Sequence, residues 1–407
     1  MYQETNAFLT ADLRFLRQIN RLAVLDVVRQ RGPISRTDIS HVIKLTPATS
    51  FTIVDELVKM DLLRPHGIGS STGGRRPALF EFNPTAFFVL GVDIGGLGKM
   101  VAVLADLDGN VLARAASELA VGEGPAGVIA RIVASLKQVI LEAGVEGHAL
   151  RGVGIAAPGL ADPRAGRIIY SANLGWQDIA IADPVEQAMG LPTWVENNAN
   201  AMALGESWCG AGRGFQNVIC LNVGVGIGAG IVIRGKLYRG SGGLAGEIGH
   251  TTVDEDGPRC RCGNHGCLEA LAAGPAIARR AVRGIRRGTV TRIADLVQGK
   301  LEYVTAEVVS QAAALGDPFA LQILEEAGQY VGLGVANLIN SLNPDVVVIG
   351  GGVAQAGEVF FAGVRRAVAA RALQLAAAQA RVVPAKLGMD AGAVGATTLV
   401  LERSLAW

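Results

Sequence analysis

Apolar side chains recur at helical spacing through the first sixty residues, without a strand-like run. Residues 14–31 carry the first such pattern, and Gly32-Pro33 ends it. A short second helix is predicted over Ser35–Ile43, because the side chain of its first residue can cap the backbone N–H groups of the first turn. Thr46-Pro47 supplies an N-cap followed by proline at the first helical position, which predicts a third helix to about Asp61.

Two short β-like pieces follow these helices. They cover Leu62–Pro65 and Ala78–Phe82, and a Gly/Ser-rich loop separates them. Helix, helix, turn, helix and then a β-hairpin is the order of a winged helix. We therefore predict a winged helix-turn-helix DNA-binding domain over residues 1–83. The alternative is a helical dimerisation domain whose arginines are solvated.

From Phe87 onward, strand and helix patterns alternate to the end of the chain. Phe88–Ile94 is an apolar strand that runs into glycines, and Val218–Val225 and Val346–Ile349 do the same. Alternating strands and helices predict an α/β fold with mainly parallel or mixed sheets. The repeated strand–glycine theme predicts two similar lobes.

Composition sets limits on the class of protein. The chain has 407 residues, which suggests two or three domains, and half of its residues are apolar, which is enough for large cores. No apolar run reaches the length of a membrane span, and the first thirty residues contain no signal-peptide core. These features predict a soluble, cytoplasmic protein with no membrane partner.

The charge of the chain is uneven although its net value is near zero. Residues 1–85 hold 11 Lys and Arg against 8 Asp and Glu, whereas the remainder is slightly acidic. A basic excess of this size neither establishes nor excludes nucleic-acid binding.

The candidate DNA contacts lie in the predicted helix-turn-helix and wing. Small and polar side chains at the start of the third helix suit a close approach to the major groove, namely Pro47, Ala48, Thr49, Ser50 and Thr52. Arg36 and the wing pair Arg75-Arg76 are candidates for contacts with phosphates or the minor groove.

Three of the five cysteines crowd into Cys260–Cys267, a clustering that indicates metal binding rather than a disulfide framework. With one histidine they satisfy the tetrahedral preference of zinc. The predicted ligands of this structural Zn²⁺ are His250, Cys260, Cys262 and Cys267. His265 is a competing fourth ligand, and the alternative to a metal site is a cluster of free core cysteines.

Five segments of the chain together carry a resemblance to a known family. They are Gly91–Gly96, Ala157-Pro158-Gly159, Glu196–Asn200, Gly246–His250 and the CxCGxxGCLE stretch that ends at Glu269. The chain resembles the ROK family, and specifically its regulators of the xylose-repressor and N-acetylglucosamine-repressor type.

The resemblance implies a two-lobed, actin-like (ribonuclease H-like) sugar-kinase fold that closes on a ligand. It places lobe 1 at 84–198 together with a C-terminal helix at about 385–407, and lobe 2, with the zinc knuckle, at 199–384. It also implies a sugar-binding set of Asn197, Asn198, Glu247, His250, Glu269 and Asn173. Amides, acids and an imidazole are the groups that hydrogen-bond sugar hydroxyls.

Two departures from the family's kinases argue against catalysis. Asn198 stands where those kinases carry the catalytic Asp, and an amide has no usable pKa for taking a proton from a sugar hydroxyl. Glu196, about 7 Å away along a strand, is not expected to replace it. Leu97 and Val225 replace residues whose hydroxyls meet ATP phosphates in the kinases, so neither ATP binding nor kinase activity is expected.

The sequence therefore predicts a regulator rather than an enzyme. A homodimer would bind a palindromic operator, and a monosaccharide in the cleft would release it; pairing of dimers into tetramers stays open, as does the choice among xylose, glucose and N-acetylglucosamine. One alternative is an active sugar kinase with an appended DNA-binding domain. Another is a regulator of phosphotransfer signalling that binds a protein in place of a sugar.

Overall fold

The computed structural model describes residues 13–70, 76–95, 98–119 and 122–404. The N-terminal unit comprises α1 (Leu13–Arg31), β1 (Ile34–Ser35), α2 (Arg36–Ile43), α3 (Pro47–Lys59), β2 (Leu63–Ile68) and β3 (Ala78–Phe82). The three predicted helices and the hairpin are present, and β1 adds a third strand on the other side of β3. The second strand of the hairpin has the predicted bounds, whereas the first extends three residues further.

Both predicted helix caps in this unit are confirmed. The Ser35 hydroxyl accepts the backbone N–H of Asp38 at 3.1 Å, and the Thr46 hydroxyl accepts that of Thr49 at 3.3 Å. Each bond satisfies an N–H group that has no partner within its own helix.

The next segment forms the first lobe and then helix α6 (Asn198–Trp208), which connects it to the second lobe. Its elements are β4 (Phe88–Asp93), β5 (Lys99–Asp106), β6 (Val111–Glu118), α4 (Gly124–Ala143), β7 (Leu150–Ala157), β8 (Leu160–Asp162), β9 (Arg167–Ser171), β10 (Trp176–Ala180), α5 (Ala182–Met189), β11 (Thr193–Asn197) and α6 (Asn198–Trp208). Strands β8, β9 and β10 form a small antiparallel sheet of their own.

The remainder forms the second lobe and a final helix. Its elements are β12 (Val218–Val223), β13 (Ile227–Ile233), β14 (Lys236–Tyr238), α7 (Leu268–Ala272), α8 (Gly274–Arg286), α9 (Arg292–Leu296), α10 (Ala306–Ala314), α11 (Pro318–Leu342), β15 (Val346–Gly350), α12 (Glu358–Arg371), α13 (Gln374–Gln379), β16 (Arg381–Pro384) and α14 (Ala391–Ser404).

The two five-stranded sheets have the same topology. Their strand orders are β6-β5-β4-β7-β11 and β14-β13-β12-β15-β16. In each sheet the strand that comes first in the sequence is central. On one side of it each strand pairs antiparallel with its neighbour, and on the other side each strand pairs parallel with its neighbour. The prediction of an α/β fold with two similar lobes is confirmed.

Helices α6 and α14 pack between the sheets. Residues Ala199–Glu206 of α6 are all buried, and the start of this helix lies against β13. Helix α14 crosses β4 and β7, so the C-terminal helix packs on the first lobe. Its backbone meets α6 so closely that a Cβ added to Gly395 would lie 1.7 Å from the carbonyl oxygen of Ala201.

The glycine cluster at 226–230 differs from its expected position. The pattern predicts a strand over Val218–Val225 that ends in glycines, but the chain turns at Gly224–Gly226 and returns as β13. Gly228 and Gly230 therefore lie inside a strand. Their lack of side chains lets the first turn of α6 approach the sheet at Ala199.

Among the described residues, no helix combines the length and apolarity that are needed to cross a lipid bilayer.

Candidate functional site

The predicted metal ligands meet at one point in the second lobe. The ligand atoms of His250, Cys260, Cys262 and Cys267 all lie within 4.8 Å of one another. Cys260 Sγ is 3.7 Å from His250 Nδ1, and Cys262 Sγ is 3.6 Å from Cys267 Sγ. The exposed His265 lies outside the cluster, which does not support it as the competing ligand.

Backbone pairing and a glycine give the knuckle its shape. Thr252 pairs with Cys267, and Arg259 pairs with His265, so the loop folds back on itself between the ligands. Gly266 has φ +62°, and a Cβ there would lie 1.5 Å from the carbonyl oxygen of Asp254. Only glycine is compatible with this close approach.

The thiols of the cluster differ in their affinity for a proton. Burial and hydrogen bonds shared with Cys262 and Cys260 raise the pKa of Cys267 to about 12. At Cys262 a backbone hydrogen bond from Asn264 lowers the thiol pKa. Three neighbouring thiolates repel one another, and a bound cation would relieve that repulsion.

The separations fit zinc. Tetrahedral Zn²⁺ with Zn–S bonds of about 2.3 Å places two sulfur ligands about 3.8 Å apart, close to the distance between Cys262 and Cys267. Three sulfurs and one imidazole nitrogen form a donor set that is typical of structural zinc sites.

Three predicted sugar-binding residues gather beside the metal cluster. Glu247 Oε2 lies 4.0 Å from His250 Nε2, so His250 turns one ring nitrogen to the cysteines and the other to Glu247. Glu269 accepts the backbone N–H of Ile227 at 3.1 Å, at the start of β13. Burial and the nearby Glu269 raise the pKa of Glu247, although His250 acts in the opposite direction.

Two further predicted residues stand at the start of α6. Asn197 is the N-cap: its Oδ1 accepts the N–H groups of Ala199 and Asn200, and its Nδ2 donates to the carbonyl oxygen of Gly159 at 2.8 Å. Asn198 is the first residue of the helix and is half-buried. Since Ala199 lies against Gly228, the start of α6 faces the same strand that Glu269 contacts.

Asn173 lies at the edge of this region. It is exposed in the turn between β9 and β10. A Cβ on Gly159 would lie 2.8 Å from Cα of Ser171, so this hairpin borders the carbonyl group that Asn197 binds.

An ion pair joins the two lobes behind Asn197. Glu196 is buried, and its Oε2 accepts a hydrogen bond from Arg239 Nε at 2.8 Å. Its Oε1 accepts from the backbone N–H of Asn197 and from Asn200 Nδ2. A carboxylate committed to these partners holds the start of α6 in place. Sequence reasoning missed Arg239, which lies just after β14 and belongs to no recognised motif.

The predicted DNA-contact residues of α3 divide between two faces. Pro47, Ala48, Thr49 and Thr52 are exposed. Ser50 is fully buried, so its prediction as a DNA contact is wrong. Spacing along the sequence favoured a small polar residue near the helix start, but this position turns into the core beside Ile53 and Val54.

The predicted arginine contacts have different outcomes. Arg36 forms an ion pair with Asp55 of α3, and its guanidinium lies 4.9 Å from the ring centroid of Phe80. This arginine therefore joins α2 to α3 and β3 in addition to any contact with phosphate. Arg76 is exposed, whereas Arg75 lies outside the described residues. Leu97, one of the two departures in the phosphate loops, also lies outside them.

Comparison with known proteins identifies the relatives of this chain. The sequence model of the ROK family matches residues 89–403. The xylose repressor of Caldicellulosiruptor bescii is 32% identical over 96% of this chain and 98% of its own length. A solved ROK family transcriptional regulator, a homologue of the E. coli Mlc protein, has a TM-score of 0.81 and 27% identity over 96% of this chain and 98% of its own. A ROK family glucokinase from Streptomyces griseus, in complex with glucose and AMPPNP, has a TM-score of 0.70 and 35% identity over 77% of this chain and 99% of its own.

Proposed function

Because this chain belongs to the ROK family, we propose that it is a sugar-responsive transcriptional repressor. One observation carries the proposal. The xylose repressor and the transcriptional regulator match 96% of the chain, whereas the glucokinase matches 77% although almost its whole length aligns. The family model begins at residue 89, so the N-terminal unit accounts for most of the difference.

The N-terminal unit would act as a winged helix. In this proposal α2 and α3 form the helix-turn-helix, with Ala48, Thr49 and Thr52 towards the base edges and the β2–β3 hairpin as the wing. A homodimer would present two such units to a palindromic operator.

The effector would be a monosaccharide bound between the lobes. Asn198 at the start of α6 and Glu247 and Glu269 beside β13 supply amide and carboxylate groups for its hydroxyls. The His250 side chain would contribute the ring nitrogen that faces Glu247. Binding would release the operator by favouring a different arrangement of the lobes.

Zinc would hold the second-lobe side of this site. His250, Cys260, Cys262 and Cys267 would be its ligands. The metal would occupy Nδ1 of His250 and leave Nε2 for the effector, thereby fixing the tautomer of the ring.

Kinase activity is not part of the proposal. Asn198 stands where the resemblance places a catalytic Asp, and nearby Glu196 is held by Arg239 and two nitrogen donors. The proposed protein binds its sugar without transferring a phosphoryl group to it.

Thermal unfolding with sugars tests the effector site. D-xylose, D-glucose and N-acetyl-D-glucosamine are each added to the full-length protein, and a sugar at 100 times its Kd should contribute about 2.7 kcal/mol of stability. Glu247→Ala should abolish the rise in Tm. Glu302→Ala, which removes an exposed carboxylate elsewhere in lobe 2, should retain it.

DNA binding and catalysis are measured on the same preparation. Duplexes selected by the protein from a random pool should bind tightly, and the stabilising sugar should weaken that binding about 5- to 150-fold, the usual range of coupling between two sites. Unaltered DNA binding with every sugar argues against a sugar-responsive repressor. Sugar-dependent ATP turnover at about 1–10³ per second would instead favour a sugar kinase. The similarity to a glucokinase is the reason for this measurement.

Zinc content tests the metal site. Cys262→Ser should lose the equivalent of one zinc per chain and lower the Tm, because metal binding contributes to folding. Cys209→Ser changes a cysteine outside the cluster and should retain the metal. A Cys262→Ser protein with wild-type zinc and Tm would contradict the proposed site.

A further inference from the structure

Helix α6 connects the candidate sugar site to the N-terminal unit. Its N-terminal end carries Asn197 and Asn198 beside Gly159 and β13. Its C-terminal end is Trp208, about 16 Å away at 1.5 Å per residue. The helix is buried over most of its length and its backbone contacts α14. A displacement at one end is therefore transmitted to the other rather than absorbed by bending.

Arg29 of α1 binds the C-terminal end of helix α6. Its Nη2 donates to the carbonyl oxygen of Trp208 at 2.6 Å, and its guanidinium stacks 3.7 Å from the centroid of the Trp208 ring. Its Nε donates to Asp108 Oδ1 at 2.7 Å. The last carbonyls of a helix have no partner within it and carry partial negative charge, so a cation there is favoured.

The contact between Arg29 and Trp208 is buried, and it joins α1, α6 and the β5–β6 turn. The Arg29 side chain is only 3% exposed, which excludes most solvent screening of its two bonds. Trp208 Nε1 donates in turn to the carbonyl oxygen of Leu107 at 3.0 Å, next to Asp108 in the β5–β6 turn. Arg29 thus contacts both the end of α6 and the first lobe.

The same helix α1 holds the proposed DNA-reading helix. Arg17 and Arg21 both pair with Glu56 of α3, the latter at 2.8 Å. Arg21 lies two turns from Arg29 on α1. A continuous set of contacts therefore runs from Asn197 through α6, Arg29 and α1 to α3.

We propose that Arg29 couples sugar binding to DNA binding by holding α1 to the C-terminal end of α6. This inference rests on the proposed function. Closure of the lobes at the start of α6 moves the Trp208 carbonyl relative to the Asp108 turn, and Arg29 cannot keep both bonds at their present lengths. The contact therefore has a different energy in the two lobe arrangements, which is what coupling requires.

The test compares full-length wild type, Arg29→Ala and Arg31→Ala. Arg31 is on the same helix, exposed, and has no ion pair among the described residues, so it controls for the loss of one positive charge from α1. For each protein, affinity for a DNA duplex selected by wild type is measured with and without the sugar that stabilises wild type. Sugar affinity is measured by calorimetry.

Wild type and Arg31→Ala should show the same sugar-induced fall in DNA affinity. Arg29→Ala should bind sugar within about threefold of wild type and retain DNA binding, but its fall in DNA affinity should shrink to less than about twofold. Linkage requires the reciprocal loss, so DNA should no longer alter its sugar affinity. Arg29→Lys keeps a cation near the carbonyl but cannot bond Asp108 and the Trp208 carbonyl together as the planar guanidinium does. Its coupling should therefore lie between those of Arg29→Ala and wild type.

The possible failures are distinguishable. Full sugar response in Arg29→Ala, or equal loss in Arg31→Ala, overturns the role of Arg29 and leaves the repressor proposal intact. A wild-type protein that binds neither sugar nor DNA contradicts both the role of Arg29 and the repressor proposal. If Arg29→Ala unfolds, Arg29→Lys decides: at least a threefold smaller response supports the inference, and an unchanged response overturns it.

Discussion

Two aspartates show how nearby hydrogen-bond donors set the pKa of a carboxyl group. Within the described part of the chain, Asp93 at the end of β4 accepts one hydrogen bond, from the N–H of Gly95, and burial raises its pKa to about 6. Burial also acts to raise the pKa of Asp317, but hydrogen bonds from Ala320, Arg292 and Thr291 outweigh it and leave the pKa below its ordinary value.

Replacing Asp93 should have an effect that depends on pH. Because burial raises the folded-state pKa of Asp93, its contribution to stability is complete below the unfolded-state pKa and is lost as pH rises through about 6, where the buried carboxyl becomes charged. Asp93→Asn removes the cost of the buried charge, so it should raise stability by about 1–3 kcal/mol at pH 8. The gain should be smaller at pH 5. Thermal unfolding at both values checks this, and a gain independent of pH contradicts it.

At the scale of elements, helix ends are fixed by side chains from nearby in sequence or from distant loops. Thr46 and Ser35 cap α3 and α2 from the preceding residue. Asp317 caps the long helix α11 and also accepts hydrogen bonds from Thr291 and Arg292, which lie before α9 and at its start. One carboxylate therefore orders two helices.

Asp317→Ala should destabilise the second lobe by about 2–4 kcal/mol. The substitution removes a helix cap and leaves the buried Thr291 hydroxyl and two N–H groups without their acceptor. Asp295→Ala, at an exposed position in α9, should change stability by less than about 0.5 kcal/mol. Thermal unfolding of the two proteins makes the comparison, and similar Tm values would contradict the capping role.

At the scale of the whole molecule, the N-terminal unit shares a hydrophobic core with the first lobe. Val24, Leu25 and Val28 of α1 belong to the same buried cluster as Leu107 after β5 and Val400 of α14. The unit is therefore packed onto the lobe rather than joined to it by a flexible linker. The proposed coupling of sugar binding to DNA binding requires such a packed contact.

Deleting residues 1–83 should therefore lower the Tm of the remaining chain. The deletion exposes Val89, Leu107, Val400 and Leu401, each buried at 2% exposure or less. Exposing the side chain of a buried Val or Leu costs about 1.5–3 kcal/mol. Calorimetry of the shortened and full-length proteins tests this, and an unchanged Tm for the lobes would show that the shared core contributes little.

The proposed effector site and the proposed zinc site also depend on the whole molecule. The proposed effector-binding groups come from α6, the turn at His250 and α7, and β13 passes all three. Metal loss should therefore reduce sugar affinity as well as stability. Calorimetric sugar titration of Cys262→Ser measures this effect; wild-type affinity without zinc would separate the two sites.

Much of this protein could be predicted from neighbouring residues. The caps at Ser35 and Thr46, the strand at β4 and the grouping of His250 with three cysteines depend on spacings within one turn or one loop, which the sequence displays directly. The motifs that carry the family resemblance are also short, and they fall within the matched residues 89–403.

Only the tertiary structure decided which side chains face the core and which distant groups meet. It buried Ser50, placed Gly228 inside a strand, and brought Arg239 to Glu196 and Arg29 to Trp208. These outcomes arise when separate helices and sheets pack to remove apolar surface from water. Hydrogen-bond partners 43 and 179 residues apart leave no periodic signal in the sequence.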